Sequence, residues 1–340
     1  MGVMTGAIGN PGMAPHVRAP LVDRIAGAPI SWGVCEVPDW GYQLGMDPVL
    51  SQMSEIGLTA TEFGPEGFLP ETPTDRVQVL SAAGLRAVGQ FVPLVLHDPE
   101  LDPLAEAEAA LAGLAAARAS VLVIAAATGA DGYDEHPGLT DAQWSTLLLN
   151  LDRIADTASA HGLIATLHPH VGTVVETGEE TERVLAGSRM ALCLDTGHLL
   201  IGGTDPVALA RTHPERIQHV HLKDVRANLA REVQEGRRTY TEAVAAGMYV
   251  PLGTGDIDIA ALVESLESSG YAGWYVLEQD TVLGGSPSET GADPAADVRA
   301  SIEFIRNLPN RPGGSVRDAS PTVQLGEFGT HRGMGVEGDG

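Results

Sequence analysis

Four hydrophobic runs in the second half of the chain each end on side chains able to bind a divalent metal. They are Ala165-Thr166-Leu167-His168-Pro169-His170, Leu192-Cys193-Leu194-Asp195-Thr196-Gly197-His198, His219-Val220-His221-Leu222-Lys223-Asp224 and Trp274-Tyr275-Val276-Leu277-Glu278. Each reads as the C-terminal end of a buried strand. A metal site needs imidazoles and carboxylates converging from several elements, and a parallel barrel presents its strand ends on one face.

Strand alternation puts His219, His221 and Lys223 on one face, with His221 at the end of the run and Lys223 within reach of a substrate oxygen. Asp195 follows the apolar run 190–194, where a buried carboxylate is costly unless a cation or hydrogen-bond donors meet it. Its other possible use is as the N-cap of a turn over 196–199. His198 either contacts substrate or supports a ligand. Glu278 is followed by Gln279 and Asp280, which could orient it. His168 and His170 share strand parity around Pro169, and His168 is the better placed to reach a barrel axis. Glu176, in the next loop, reads as solvated or substrate-facing. Asp195, Glu278, His221 and His168 together offer two carboxylates and two neutral imidazoles. That mixed set suits Mn²⁺ or Co²⁺, with Fe²⁺, Zn²⁺ or Mg²⁺ as further candidates, and disfavours Ca²⁺, which prefers oxygen alone.

The elements that must position these residues form a regular series. Strand-like runs at 25–32, 59–63, 86–92, 120–126, 163–168, 190–194, 217–222 and 273–278 alternate with helical stretches at 47–56, 73–83, 102–118, 140–161, 178–187, 204–212, 256–269 and 293–307. Strand-then-helix repetition implies a parallel sheet, and eight units predict closure into a (β/α)8 TIM barrel spanning 23–308. No Gly-x-Gly-x-x-Gly follows the first strand, so a dinucleotide fold has no fingerprint here. A long polar insertion, 223–255, follows the seventh strand and carries a helical part near 229–246. Long loops on the catalytic face of a barrel often serve as lids. Residues 1–22 are expected to be a flexible arm and 309–340 a disordered tail.

The chain has 20 basic and 45 acidic residues, a formal net charge of −25. With no Lys/Arg run to neutralise phosphates, nucleic acid and anionic membranes are disfavoured as partners. Spread over helix faces, the acidity serves solubility. Two cysteines, Cys35 and Cys193, make no disulfide framework. Together with the absence of a secretory h-region near the N-terminus, this predicts a cytoplasmic protein. No apolar stretch reaches the roughly 18 residues of a membrane span. A homo-oligomer is compatible with all of this.

At this point the chain resembles the xylose-isomerase-like barrel superfamily of sugar isomerases and epimerases, and within it the inosose dehydratases. The resemblance covers roughly residues 24–308. It is carried by Ala28-Pro29-Ile30-Ser31-Trp32-Gly33, Thr61-Glu62-Phe63-Gly64, His168-Pro169-His170-Val171-Gly172-Thr173, Asp195-Thr196-Gly197-His198, His219-Val220-His221-Leu222-Lys223-Asp224-Val225-Arg226, Pro251-Leu252-Gly253-Thr254-Gly255-Asp256 and Gly273-Trp274-Tyr275-Val276-Leu277-Glu278-Gln279-Asp280. It implies that Asp195, Glu278 and His221 are metal ligands. His168 stands where the superfamily usually has a glutamate, as in the dehydratase branch; His170, Glu176 or water are the other candidates for that fourth position. Glu62, His198, Lys223 and Arg226 fall where the family contacts substrate, and Trp32, His170 and Glu176 join them as expected substrate contacts.

The implied activity is loss of water from a cyclic polyol ketone such as 2-keto-myo-inositol, a step of inositol catabolism, through a metal-stabilised enolate. Glu278 or Glu62 would act as base, His198 or His170 as acid, and Lys223 would steady the enolate. A metal-dependent sugar or inosose isomerase or epimerase needs the same enolate without elimination and is the alternative. A DNA-cleaving relative would need a basic groove, which a net charge of −25 argues against. A barrel that only binds metal would not need Lys223 and Arg226.

Overall fold

The run Val121–Ala126 is apolar throughout and buried at every position, the pattern of a parallel strand covered on both faces. It is one of eight strand–helix units that close into a ring. A computed structural model describes residues 18–309. The strands in chain order are β1 (Ile25–Gly27), β2 (Ala60–Thr61), β3 (Arg86–Ala87), β4 (Gly89–Leu94), β5 (Val121–Ala126), β6 (Ile164–Leu167), β7 (Ala191–Asp195), β8 (Ile217–Leu222), β9 (Asp224–Val225), β10 (Tyr249–Val250) and β11 (Tyr275–Leu277). Nine of them form one parallel sheet in the order β3-β2-β1-β11-β8-β7-β6-β5-β4.

The two ends of that order are consecutive in the chain, so the barrel closes through its own third strand. The sequence predicts one strand over 86–92. It is instead split at Val88, whose N–H bonds Thr61 O on one side while its carbonyl accepts from Ser120 and Val121 N–H on the other. The first strand, predicted over 25–32, stops at Gly27. Pro29 has no N–H for the ladder and opens a 3-10 turn, Pro29–Trp32.

The main outer helices are α1 (Met46–Glu55), α2 (Pro73–Ala82), α3 (Leu104–Ala116), α4 (Asp141–Ala160), α5 (Gly178–Gly187), α7 (Pro206–Thr212), α10 (Ile259–Ser269) and α12 (Pro294–Arg306), with the short α6 (Thr196–Ile201) and α11 (Pro287–Thr290) between them. Their starts follow local chemistry. Thr140 and Thr177 close capping boxes with Gln143 and Glu180. Pro73, Pro206 and Pro294 open helices just after a Thr or Asp cap, a position where the missing N–H costs nothing.

Alternation along the strands sorts the side chains. Ala26, Ala60, Val88 and Val276 form one small buried cluster, and Val121, Val123 and Cys193 another. Residues of the same parity further along the strands are Glu62, Asp195, His221, Lys223, Glu278 and Asp280. The barrel therefore has an apolar floor, with its polar groups gathered at the C-terminal strand ends.

The insertion leaves on β9 and returns on β10, which pair antiparallel. It holds two helices, α8 (Ala227–Gln234) and α9 (Tyr240–Ala245), rather than one stretch near 229–246. The break falls at Gly236, where φ is +66°. The buried Asp224 carboxylate accepts from the N–H groups of Val225, Gly253, Gly255 and Ile257 and so pins the return of the insertion.

At the other end of the barrel, Arg18 bonds the carbonyls of Glu267 and Tyr271 and pairs with the Glu267 carboxylate. The last residues of the expected arm are thus tied down. Residues 1–17 and all but the first residue of the expected tail lie outside the described residues. Among the described residues no helix is long and apolar enough to cross a membrane.

Candidate functional site

Four successive strand ends converge on one point. His168 follows β6, with its N–H bonded to Ile124 O. Asp195 ends β7 and is the register partner of His221 in β8. Glu278 follows β11, with its N–H on Leu222 O. The facing atoms are close: His168 Nε2 lies 3.3 Å from Asp195 Oδ2, and His221 Nδ1 lies 3.6 Å from that same oxygen and 3.1 Å from Glu278 Oε2.

Asp195 serves two purposes at once. Its Oδ1 accepts from the N–H groups of Gly197 and His198, capping α6. Its Oδ2 is fully buried and makes no hydrogen bond, as is true of His221 Nδ1 and both nitrogens of His168. Buried polar atoms without a hydrogen bond are costly and rare, and here three of them face each other. Asp195, His221 and Glu278 can each offer one donor atom within 4.8 Å of the others. Two carboxylates and two imidazoles whose facing nitrogens make no hydrogen bond fit a divalent ion. Burial works to raise the Asp195 carboxyl pKa, but the charge of Lys223 and the facing imidazoles outweigh it and hold it well below the usual carboxylate range. It is therefore ionised, as a ligand must be.

Lys223 lies at the edge of this cluster, its side chain only 2% exposed. Its Nζ is 2.5 Å from Asp280 Oδ1, 3.1 Å from Glu278 Oε2 and 3.6 Å from Asp195 Oδ2. Burial alone would lower its pKa; the surrounding carboxylates raise it well above the ordinary lysine value, so it is an ammonium. A hydroxyl clip sets its backbone: Thr196 Oγ1 accepts from Lys223 N–H and donates to Lys223 O. Gly197 permits this packing, because a Cβ there would come within 2.9 Å of Lys223 Cβ and 2.7 Å of Tyr249 Cε1.

Above the cluster is a cavity of about 580 Å³, counting the open space at its mouth. Among the described residues Lys223 is the one Lys or Arg in its lining. Tyr133, Tyr240, Trp40 and Phe91 form aromatic walls. Tyr240 OH donates to Asp280 Oδ2, and Tyr133 OH to Glu36 Oε1. Thr241 bonds Asp134 through both N–H and hydroxyl, joining the loop after β5 to the insertion. His170 lines the cavity, sandwiched between Tyr133 and His198, with ring centroids 4.3 Å and 3.7 Å away. Burial and the nearby His168 and Lys223 push its pKa well down, so it is neutral.

The structure brings His168, His170, Glu62, Lys223 and Glu278 to the cavity wall, with Asp195 and His221 behind them. It does not bring four other expected residues there. His198 is sealed behind His170, fully buried, and its Nδ1 accepts from Val171 N–H. Trp32 is a core residue whose Nε1 bonds Gln52. Arg226 is exposed and bonds Gly247 O. Glu176 bonds Gly172 N–H and faces His136, in a neighbouring depression. Glu62, expected as a base or substrate contact, has its Oε1 engaged by both His219 and His221.

Cys35 lines the cavity, where burial and the Glu36 charge push its thiol pKa far up. Asp280 shares strand parity with Glu278, a signal the sequence did carry. Tyr133, Trp40 and Glu36 come from loops and Tyr240 opens α9 in the insertion, where no strand periodicity marks them.

The family described as xylose isomerase-like TIM barrel matches residues 41–308. The rhizopine catabolism protein MocC of Rhizobium meliloti is 33% identical over 268 residues, 76% of this chain and 81% of MocC. An inosose dehydratase of Geobacillus kaustophilus is 33% identical over 303 residues, 84% of this chain and 94% of that enzyme. Among solved structures, the zinc-binding IOLI protein superposes with a TM-score of 0.63 at 13% identity, over 85% of this chain and all of that one.

Proposed function

The chain belongs to the xylose isomerase-like TIM barrel family, and from that premise we propose that it is a divalent-metal-dependent dehydratase of a cyclic polyol ketone such as 2-keto-myo-inositol. One observation carries the reading. Buried polar atoms with no hydrogen bond, Asp195 Oδ2, His221 Nδ1 and His168 Nε2, meet Glu278 at the foot of a cavity whose one cationic lining residue, among those described, is Lys223. The similarity to inosose dehydratases over most of the chain supports the substrate class and the elimination of water.

Asp195, Glu278, His221 and His168 would hold the ion, and their mixed oxygen and nitrogen donors suit Mn²⁺ or Co²⁺. The bound ion supplies Lewis-acid polarisation of the substrate ketone. Glu278 takes the proton from the carbon beside that ketone to give an enolate, whose electron pair then forms the new carbon–carbon double bond as the hydroxyl on the next carbon departs. Lys223 gives that hydroxyl a proton, so it leaves as water. Glu278 Oε2 and Lys223 Nζ are 3.1 Å apart, close enough for the captured proton to return to the amine and restore both groups.

His170 orients the substrate. Its Nδ1 faces Val171 O at 2.7 Å and must donate to it, which leaves the Nε2 lone pair of the neutral ring to accept from a substrate hydroxyl. Sealed behind this ring, His198 is no longer a suitable acid. The aromatic walls exclude water and present flat faces to a six-membered ring.

Product analysis in D₂O tests the proposal. Purified protein with Co²⁺ and 2-keto-myo-inositol is expected to yield a product lighter by one water. Exchange of the proton beside the ketone, or epimer formation, without loss of water would overturn the dehydratase reading in favour of an isomerase or epimerase.

A further inference from the structure

The Glu62 carboxylate is 2% exposed and sits at the inward end of β2. Its single oxygen Oε1 lies 2.8 Å from His219 Nε2 and 3.1 Å from His221 Nε2. Room for that oxygen depends on Gly89, where a Cβ would stand 3.1 Å from it and 3.1 Å from Val121 O. An ionised carboxylate only accepts, so both imidazoles carry their hydrogen on Nε2. With Nε2–H held this way, the nitrogen of His221 left to give up its proton to an ion is Nδ1, the atom that faces Asp195 and Glu278. The His219 ring braces the same oxygen from the adjacent inward position, with ring centroids 5.3 Å from His221.

We propose that Glu62 is a positioning residue for the metal centre: it fixes the tautomer and ring orientation of His221 so that Nδ1 is presented to the ion, and it takes no proton from substrate. This rests on the metal-centre reading above. Carboxylates that bond the far nitrogen of a metal-binding histidine set its tautomer and raise its basicity, and losing one typically weakens metal binding roughly 10- to 100-fold.

The test uses Co²⁺ as the probe, read by its visible absorption, in wild type, Glu62→Ala and Glu62→Gln. Co²⁺ affinity should fall roughly 10- to 100-fold in Glu62→Ala. It should fall less in Glu62→Gln, whose amide oxygen still accepts. Nitrogen-15 histidine shifts of the Zn²⁺-loaded proteins should report His221 as the Nε2–H tautomer in wild type and a mixture in Glu62→Ala. At saturating Co²⁺, exchange of the substrate proton beside the ketone should persist in both variants. Unchanged Co²⁺ affinity and an unchanged tautomer would overturn the proposal. So would loss of exchange at saturating Co²⁺, which would make Glu62 the proton acceptor. Glu62→Gln keeps the test decisive if Glu62→Ala does not fold. Failure of the wild type to bind Co²⁺ would overturn the metal-centre reading itself, a result distinct from the others.

Discussion

The rings of His170 and His198 stack with centroids 3.7 Å apart, and each reads a different backbone group of Val171. His170 Nδ1 donates to its carbonyl, whereas His198 Nδ1 accepts from its N–H. Both nitrogens of His198 are thus engaged, Nδ1 by Val171 N–H and Nε2 by Lys223 Nζ at 3.2 Å, whereas His170 keeps its Nε2 lone pair for the cavity. Replacing His170 by Phe keeps the stack between Tyr133 and His198 but removes that acceptor. The expected result is a loss in kcat/KM on the order of tenfold, the value of one hydrogen bond, seen mainly in KM. Steady-state kinetics with 2-keto-myo-inositol measure it, and a fall confined to kcat would assign His170 to the chemical step.

Lys223 has a different signature. Its ammonium is buried among Asp195, Glu278 and Asp280 and has no lone pair to give an ion, so its part is as a proton donor. Lys223→Met should lower kcat by roughly 10²- to 10³-fold, as removal of a preorganised donor does. Co²⁺ binding should be kept, because a positive charge beside the ligands has been removed. A Co²⁺ titration alongside the kinetics separates the two effects.

The Thr196 hydroxyl holds the backbone of Lys223 through two buried bonds. Thr196→Val preserves shape and leaves Lys223 N–H and O unpaired. A destabilisation of about 2 kcal/mol is expected from stranding buried polar groups, measurable by urea denaturation of the metal-free protein. Wild-type stability in this variant would mean that the clip contributes nothing.

The loop after β5 carries its own pH-dependent tether. His136 Nε2 is 3.1 Å from Glu180 Oε1, and Nδ1 faces Thr173 O. The Glu180 bond raises the His136 pKa to about 9 against the pull of partial burial. Burial works to raise the Glu180 pKa, but His136 and backbone N–H groups outweigh it and bring it to about 2. A raised histidine contributes stability that is complete below its unfolded pKa of about 6.5 and is lost as pH climbs through about 9. A lowered glutamate contributes above about 4.5 and is lost as pH falls toward about 2. His136→Ala should therefore cost most between about pH 4.5 and 6.5, and the gap to wild type should close on both sides of that window. The cluster is partly solvent-screened, so the penalty is about 1 kcal/mol or less. Melting curves across pH read it out, and a pH-independent difference would contradict the tether.

The strand ends were legible because their physics is local. Apolar runs such as Leu192–Leu194 and Tyr275–Leu277 can only be buried strands, and a carboxylate or imidazole closing such a run must find a partner. Period-two alternation then places His219, His221 and Lys223 on one side, and the structure keeps them there. The misplaced residues fail for tertiary reasons. Trp32 lies beyond Pro29, which ends the strand and turns the indole into the core. Arg226 caps the start of α8 and is carried outward by the insertion. Tyr133 and Tyr240 reach the cavity only because two distant loops meet at Asp134 and Thr241, which no pattern in either segment records. The handover at Val88 is equally hidden, since 86–92 reads as an unbroken strand.

The most direct measurement of the central claim is dehydration of 2-keto-myo-inositol by chelator-stripped protein as Mn²⁺ or Co²⁺ is added back. Product should be absent from the stripped protein and appear in step with binding of a single ion per chain. Asp195→Asn, which can still cap α6 through its amide oxygen, should neither bind the ion tightly nor form product. Full-rate dehydration by verified metal-free protein, or by Asp195→Asn, would contradict the account.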